Sequence, residues 1–141
     1  MTDWIELFTT PLSVADAERY VLDPAAGGTC IFSGNTRCET HADGRELLAL
    51  DYEAYADMAL KQLAEMAGQA RERWPVIKLA ILHRTGRVAV GEPSVVIAVS
   101  TGHRAQAFET CRFLIDELKS DVAIWKKEVW NAGASSWVNP L

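Results

Sequence analysis

The sequence predicts an α+β fold: one domain over residues 1–141, with helices packed on a mixed or antiparallel sheet. Three observations carry this expectation. VIKLAILHR (76–84) and SVVIAVST (94–101) are β-branched apolar runs separated by the Gly-containing TGRVAVGEP, and they read as two sheet strands. Residues 55–74 and the segment after STGH place apolar side chains at helical spacing. The resulting order of helix, strand, strand, helix, strands, helix fits layers of helix on sheet.

The elements follow in turn. PLSVADAERYV reads as a short helix, with Ser13 and Asp16 resembling a capping box and Val14, Ala17 and Val21 on one side. Asp23–Gly28 is a turn, and Thr29–Gly34 a strand. A polar loop, NTRCETHADGRE, turns at Asp43–Gly44 and leads to a strand at Leu47–Tyr55, expected to pair with the strand before it. Ala59, Leu63, Met66 and Ala70 form the stripe of the next helix, which Pro75 ends. A small extra strand is expected at Arg87–Val90. In the last helix Phe108, Cys111, Ile115 and Leu118 form the stripe expected to face the sheet.

Composition narrows the function. A net charge of −5 argues against non-specific nucleic-acid binding, so an anion site has to be a local cluster of cations. Three cysteines, Cys30, Cys38 and Cys111, are too scattered for a disulfide framework; Cys30 and Cys38 could pair, but idle thiols in a reducing compartment fit better. The opening MTDWIELFTT lacks the basic start of a signal peptide, and no apolar run reaches the roughly 20 residues of a membrane helix. A cytoplasmic protein is expected. His41 and His83 lack metal-ligand spacing, so no metal is expected, and no cofactor. Trp4, Trp74, Trp130 and Trp137 read as packing residues.

The cations are more informative. LKSDVAIWKKE places Lys119 and Lys126 on either side of an apolar core. A lysine held against apolar surface or near other cations has its neutral form favoured and can serve as acid, base or nucleophile. Lys127 and Glu128 adjoin them, the glutamate able to orient an ammonium or simply to pair with it. His103 and Arg104 begin the last helix, where free N–H groups and a guanidinium fork suit an anion. On spacing alone the plainer account carries more weight: a capping neighbour and a solvated first-turn residue. Arg104 and Lys119 are separated by roughly 22 Å of helical rise. Either they serve different sites, or a second copy of the chain in a two-fold dimer supplies one end. FSGNTR adds Gly34, which permits close backbone approach to a ligand, and Arg37, which could hold an anion; alone they read as a turn glycine and an exposed arginine.

Together these segments resemble the large, catalytic subunit of molybdopterin synthase. FSGNTR resembles that family's Gly-x-x-Arg loop, and LDYEAYADMA its strand-to-helix junction. The stretch ILHRTGRVAVGEPSVVIAVSTGHRAQAFETCRFLIDELK is similar nearly throughout, and IWKKE resembles the closing motif. The resemblance covers roughly Thr29 to Val129.

The resemblance implies an α/β-hammerhead-type domain and a sulfurtransferase. It would add two sulfurs to cyclic pyranopterin monophosphate, building the dithiolene of molybdopterin for molybdenum cofactor biosynthesis. The implied partner is a ubiquitin-like small subunit whose C-terminal Gly-Gly ends as a thiocarboxylate. Two large subunits would form a central homodimer inside a heterotetramer, with each active site drawing on both. Lys119 and Lys126 match the family's essential lysines; Arg37, His103 and Arg104 match its substrate-anion contacts; Asn35, Thr36, Lys127 and Glu128 adjoin these and are expected to line the substrate pocket. This chain is not expected to be the sulfur carrier, since it ends Asn-Pro-Leu. It departs from the pattern at Ala123, where the family has proline, at Ser136, where some members carry an arginine, and in its short tail.

Overall fold

The computed structural model describes residues 3–131 and the backbone of 135–138. Its elements, in order, are β1 (Trp4–Phe8), α1 (Val14–Val21), β2 (Gly28–Asn35), β3 (Leu47–Ala54), α2 (Ala56–Arg73), β4 (Val76–Arg84), β5 (Gly86–Ala89), β6 (Pro93–Thr101), α3 (Arg104–Asp121), β7 (Ile124–Trp130) and β8 (Ser135–Val138). The strands form two four-stranded sheets, β1-β4-β6-β2 and β5-β3-β7-β8. The first is mixed, because β1 runs parallel to β4 while β6 is antiparallel to both β4 and β2. The second is antiparallel throughout. The α+β expectation holds, with the strands divided between two sheets.

The first sheet is covered on both faces, which is why β4 and β6 are continuous apolar runs without alternation. Leu79 and Ile81 with Val95, Ile97 and Val99 meet α2 and α3 on one face. Ala80 and Leu82 with Val96 and Ala98 meet Ala17 and Val21 of α1 on the other. A third cluster lies on the second sheet, around Leu50, Tyr52, Val88, Ile124 and Trp130.

Helix starts and stops follow local chemistry. Ser13 Oγ accepts the Asp16 N–H at 3.1 Å and starts α1. Trp74 caps α2 just before Pro75. Arg71, near that end, donates to the Asp3 carboxylate at 2.6 Å and so ties the entry of β1 to α2.

Three expectations are corrected, while the cysteines are free thiols as expected. β2 does not pair with β3: it lies along β6 from Gly28↔Thr101 to Asn35↔Pro93, and the loop after it carries the chain into the other sheet. Pairing with a buried central strand covers more apolar surface than a hairpin would. The buried face of α3 is Ala107, Thr110, Cys111, Leu114 and Leu118, which leaves Phe108 62% exposed. The small side chains at 107 and 110 let that face sit close on the sheet. Val14 of α1 is likewise exposed. Cys30 neighbours Cys111, not Cys38, and burial pushes the Cys111 thiol above its ordinary range. β1 went unforeseen, since five half-buried residues give little periodicity.

The turn at Ala123 is held from both sides. Its N–H donates to Gln62 Oε1 at 2.7 Å, and its carbonyl accepts the Tyr55 N–H at 3.1 Å. A proline here would have no N–H to give. The side chains of Ser136 and Trp137 lie outside the described residues.

Candidate active site

Helix α3 ends one short turn before β7 begins, so Lys119 in its last turn and Lys126 on the strand come round to the same place. They line one cavity of about 110 Å³ together with Gly34, Asn35, Tyr52, His83 and Ser94. Apolar walls come from Leu50, Val95, Ile115 and Leu118. The cavity therefore sits where the two sheets meet the C-terminal end of α3.

Register explains which side chains point in. Lys126 lies opposite Tyr52, and Glu128 opposite Leu50, in the β3–β7 pairing. Alternation puts Ile124, Lys126, Glu128 and Trp130 on one face and Trp125, Lys127 and Val129 on the other. Ile124 and Trp130 are buried while Trp125 is exposed, which identifies the inward face. Lys127 thus faces away from Lys126. Its positive charge helps hold the Asp51 carboxyl below its ordinary range, after the larger effect of the Arg87 hydrogen bond. Arg87 Nε lies 2.8 Å from Asp51 Oδ1.

Gly34 and Asn35 enter at the end of β2, where the pairing with β6 shifts register. A Cβ on Gly34 would stand 2.7 Å from Val95 Cγ1, so the glycine lets this strand end lie flush on its neighbour. Asn35 Oδ1 accepts from Ser33 Oγ at 2.9 Å. Thr36 is buried and anchors the next turn, its N–H donating to Glu92 O at 3.0 Å and its carbonyl accepting from Gly91 at 2.7 Å. Arg37 follows, exposed.

His103 and Arg104 stand at the opposite end of α3, both exposed. His103 is the N-cap residue in extended conformation, and its carbonyl accepts from Thr101 Oγ1 at 2.5 Å. Gly28 passes so close that a Cβ there would lie 2.8 Å from the Arg104 Cα. Within one chain the structure therefore brings together Lys119, Lys126 and Asn35, with Glu128 on the same face of β7. It leaves Arg37, His103 and Arg104 out of that cavity.

Sequence reasoning missed His83, Tyr52 and Ser94. His83 is 2% exposed, and burial pushes its pKa down from 6.5 to about 4. Its ring meets Tyr52 edge-on, with centroids 5.2 Å apart. The missed signal was a histidine inside an otherwise apolar strand: such a group has to be paired or facing a cavity. No carboxylate lines the cavity among the described residues. Two ammonium groups over a neutral floor make a receptor for an anion, in a chain whose net charge is −5.

Comparison with known proteins agrees with this architecture. The profile of the MoaE protein family matches residues 7–121. The chain belongs to the MoaE family. Among curated members it is 40% identical over 135 residues to the molybdopterin synthase catalytic subunit of Rattus norvegicus, covering 96% of this chain and 66% of that protein. It is 50% identical over 114 residues to that of Arabidopsis thaliana, covering 81% of this chain and 57% of the relative. The chain thus spans less than two thirds of these relatives' lengths. Among solved MoaE-type structures, molybdopterin synthase from Staphylococcus aureus superposes with a TM-score of 0.90 at 32% identity, covering 99% of this chain and 98% of the other. A complex of subunits 1 and 2 of molybdopterin-converting factor from Helicobacter pylori shares the fold, with a TM-score of 0.79 at 18% identity over 96% of this chain and 90% of that one.

Proposed function

We propose that this chain, acting as one domain, is the catalytic subunit of a cytoplasmic molybdopterin synthase. It transfers sulfur from a thiocarboxylated, ubiquitin-like small subunit to cyclic pyranopterin monophosphate, forming the dithiolene of molybdopterin. The observation that carries this reading is the convergence of Lys119 and Lys126 on one cavity, with no carboxylate among its described lining residues. Thiocarboxylate attack builds negative charge on oxygen and sulfur, and opening the cyclic phosphate builds more. Fixed ammonium groups stabilise that charge, and a lysine amine can move a proton as it develops.

Asn35 lines the same cavity, and Glu128 on the inward face of β7 can orient the Lys126 ammonium. Thr36 sets the course of the loop that carries Arg37. His103 and Arg104 reach the substrate from a second copy of the chain: α3 holds Arg104 and Lys119 roughly 22 Å apart, and a two-fold dimer removes that separation, while Arg37 holds the substrate anion from the loop just past Asn35. The matched relatives' names and the two-subunit complex support the small-subunit partner. The decisive test incubates the protein with thiocarboxylated carrier and the cyclic precursor and measures dithiolene product. Lys119→Ala is expected to abolish product while leaving self-association and carrier binding intact; wild-type turnover in that variant would refute the reading.

A further inference from the structure

The floor of the cavity holds a group that the sulfur-transfer reading leaves idle. His83 lines the cavity near the end of β4, as do Lys119 and Lys126. Its Nδ1 lies 2.8 Å from the backbone oxygen of Arg84. A carbonyl only accepts, so Nδ1 carries the proton, and in the neutral ring Nε2 is a bare acceptor. Of the other polar groups of the floor, Ser94 Oγ donates to the Gly34 carbonyl at 3.3 Å, and the Tyr52 hydroxyl lies near Ser94. The residue itself lines the cavity, and among the described residues the hydrogen bond of its ring is the one at Nδ1. The ring meets Tyr52 edge-on, and its bond to the Arg84 carbonyl sets its orientation.

A pocket for a plain anion would gain from a third cation at its base. This one instead counts an acceptor among its lining groups, in the same cavity as two ammonium donors. We infer that His83 Nε2 is a specificity-determining contact, accepting a hydrogen bond from a ring N–H of the pterin while Lys119 and Lys126 hold the ligand's anionic part. The inference rests on the proposed reading of the cavity as a pterin phosphate site.

Two substitutions separate this role from a structural one. In His83→Asn the amide can take the Nδ1 position and keep the bond to the Arg84 carbonyl, but nothing reaches where Nε2 was. In His83→Gln the longer amide reaches the Nε2 position and gives up the Nδ1 bond. Equilibrium binding of cyclic pyranopterin monophosphate, followed by pterin fluorescence, is expected to weaken about tenfold in His83→Asn and to stay within about threefold of wild type in His83→Gln. At saturating precursor and carrier, kcat is expected to stay within about threefold in both, with inorganic phosphate inhibiting both as it does wild type. The opposite ranking, with His83→Gln impaired and His83→Asn unaffected, would assign His83 to the fold alone and overturn the inference. Equal binding by both variants and wild type would overturn it too. Should His83→Asn fail to fold, His83→Gln still decides, because about tenfold weaker binding there contradicts the contact. Wild-type protein that binds the pterin yet makes no dithiolene would end the sulfur-transfer reading and leave this contact standing.

Discussion

At its C-terminal end α3 delivers Lys119 into a cavity shared with Lys126, Asn35 and a buried imidazole. At its N-terminal end His103 and Arg104 stand exposed, and neither borders that cavity. Both ends carry cations, yet only one has walls. Enclosure by two sheets and a helix end makes the first an anion receptor, because charges in a confined, partly apolar space act more strongly than charges facing water. At the N-terminal end the His103 and Arg104 side chains are exposed, and the proposed dimer supplies the second copy that would complete a site there.

The sharpest way to break this contrast uses two adjacent lysines. Lys126 lies on the inward face of β7 and Lys127 on the outward one, across from Asp51. Lys126→Ala is expected to cut kcat for dithiolene formation by about 10² or more, the scale of losing a cation aimed at developing charge. Lys127→Ala is expected to change it by less than about threefold, as for a charge outside the cavity. Equal losses in the two would mean that strand alternation does not sort the machinery here.

Next in size is the shared-site test. Arg104→Ala and Lys119→Ala proteins are each expected to be inactive. After subunit exchange, half the dimers are mixed and each mixed dimer has one intact site, so about a quarter of wild-type activity should return. No recovery, with exchange proven by tagged subunits, would place the two ends of α3 in separate functions.

Much of this was readable from residues alone, and what was not has identifiable causes. The stripe of α2 (Ala59, Leu63, Met66, Ala70) and the runs of β4 and β6 were plain because burial there is extensive and periodic. The partner of β2 was not, since local pattern marks a strand but not its neighbour; a long loop can lead to a hairpin or to another sheet. The α3 stripe was placed too far toward Phe108 because the helix seats its small residues, Ala107 and Thr110, against the sheet, and hydrophobicity undervalues both. At the site, Lys119 and Lys126 stood out through their spacing and the family resemblance. His83 did not, because its significance is tertiary: only the meeting of β4, β3 and the end of α3 turns a strand histidine into the floor of a cavity.

That floor also sets the smallest effect, on stability against acid. His83 has a native pKa pushed down from 6.5 to about 4 by burial, the Arg84 carbonyl opposing only in part. Between those values the unfolded chain binds a proton at this position and the folded chain does not, so stability rises with pH. The burial of a neutral imidazole is without proton cost above about pH 6.5, and stability falls as pH drops from there toward 4, by about 3 kcal/mol at most for this one group. The charged side chains lining the same cavity are Lys119 and Lys126, and no carboxylate stands among the described lining residues to favour a protonated ring. Denaturant unfolding of wild type and His83→Gln at pH 7 and pH 5 measures this directly. A glutamine has no proton to take up, so the variant should lose less stability than wild type between the two pH values. Identical acid sensitivity would show that the imidazole is protonated in the folded protein as readily as in the unfolded chain, and Nε2 would then be a donor at mildly acid pH instead of the acceptor the cavity requires.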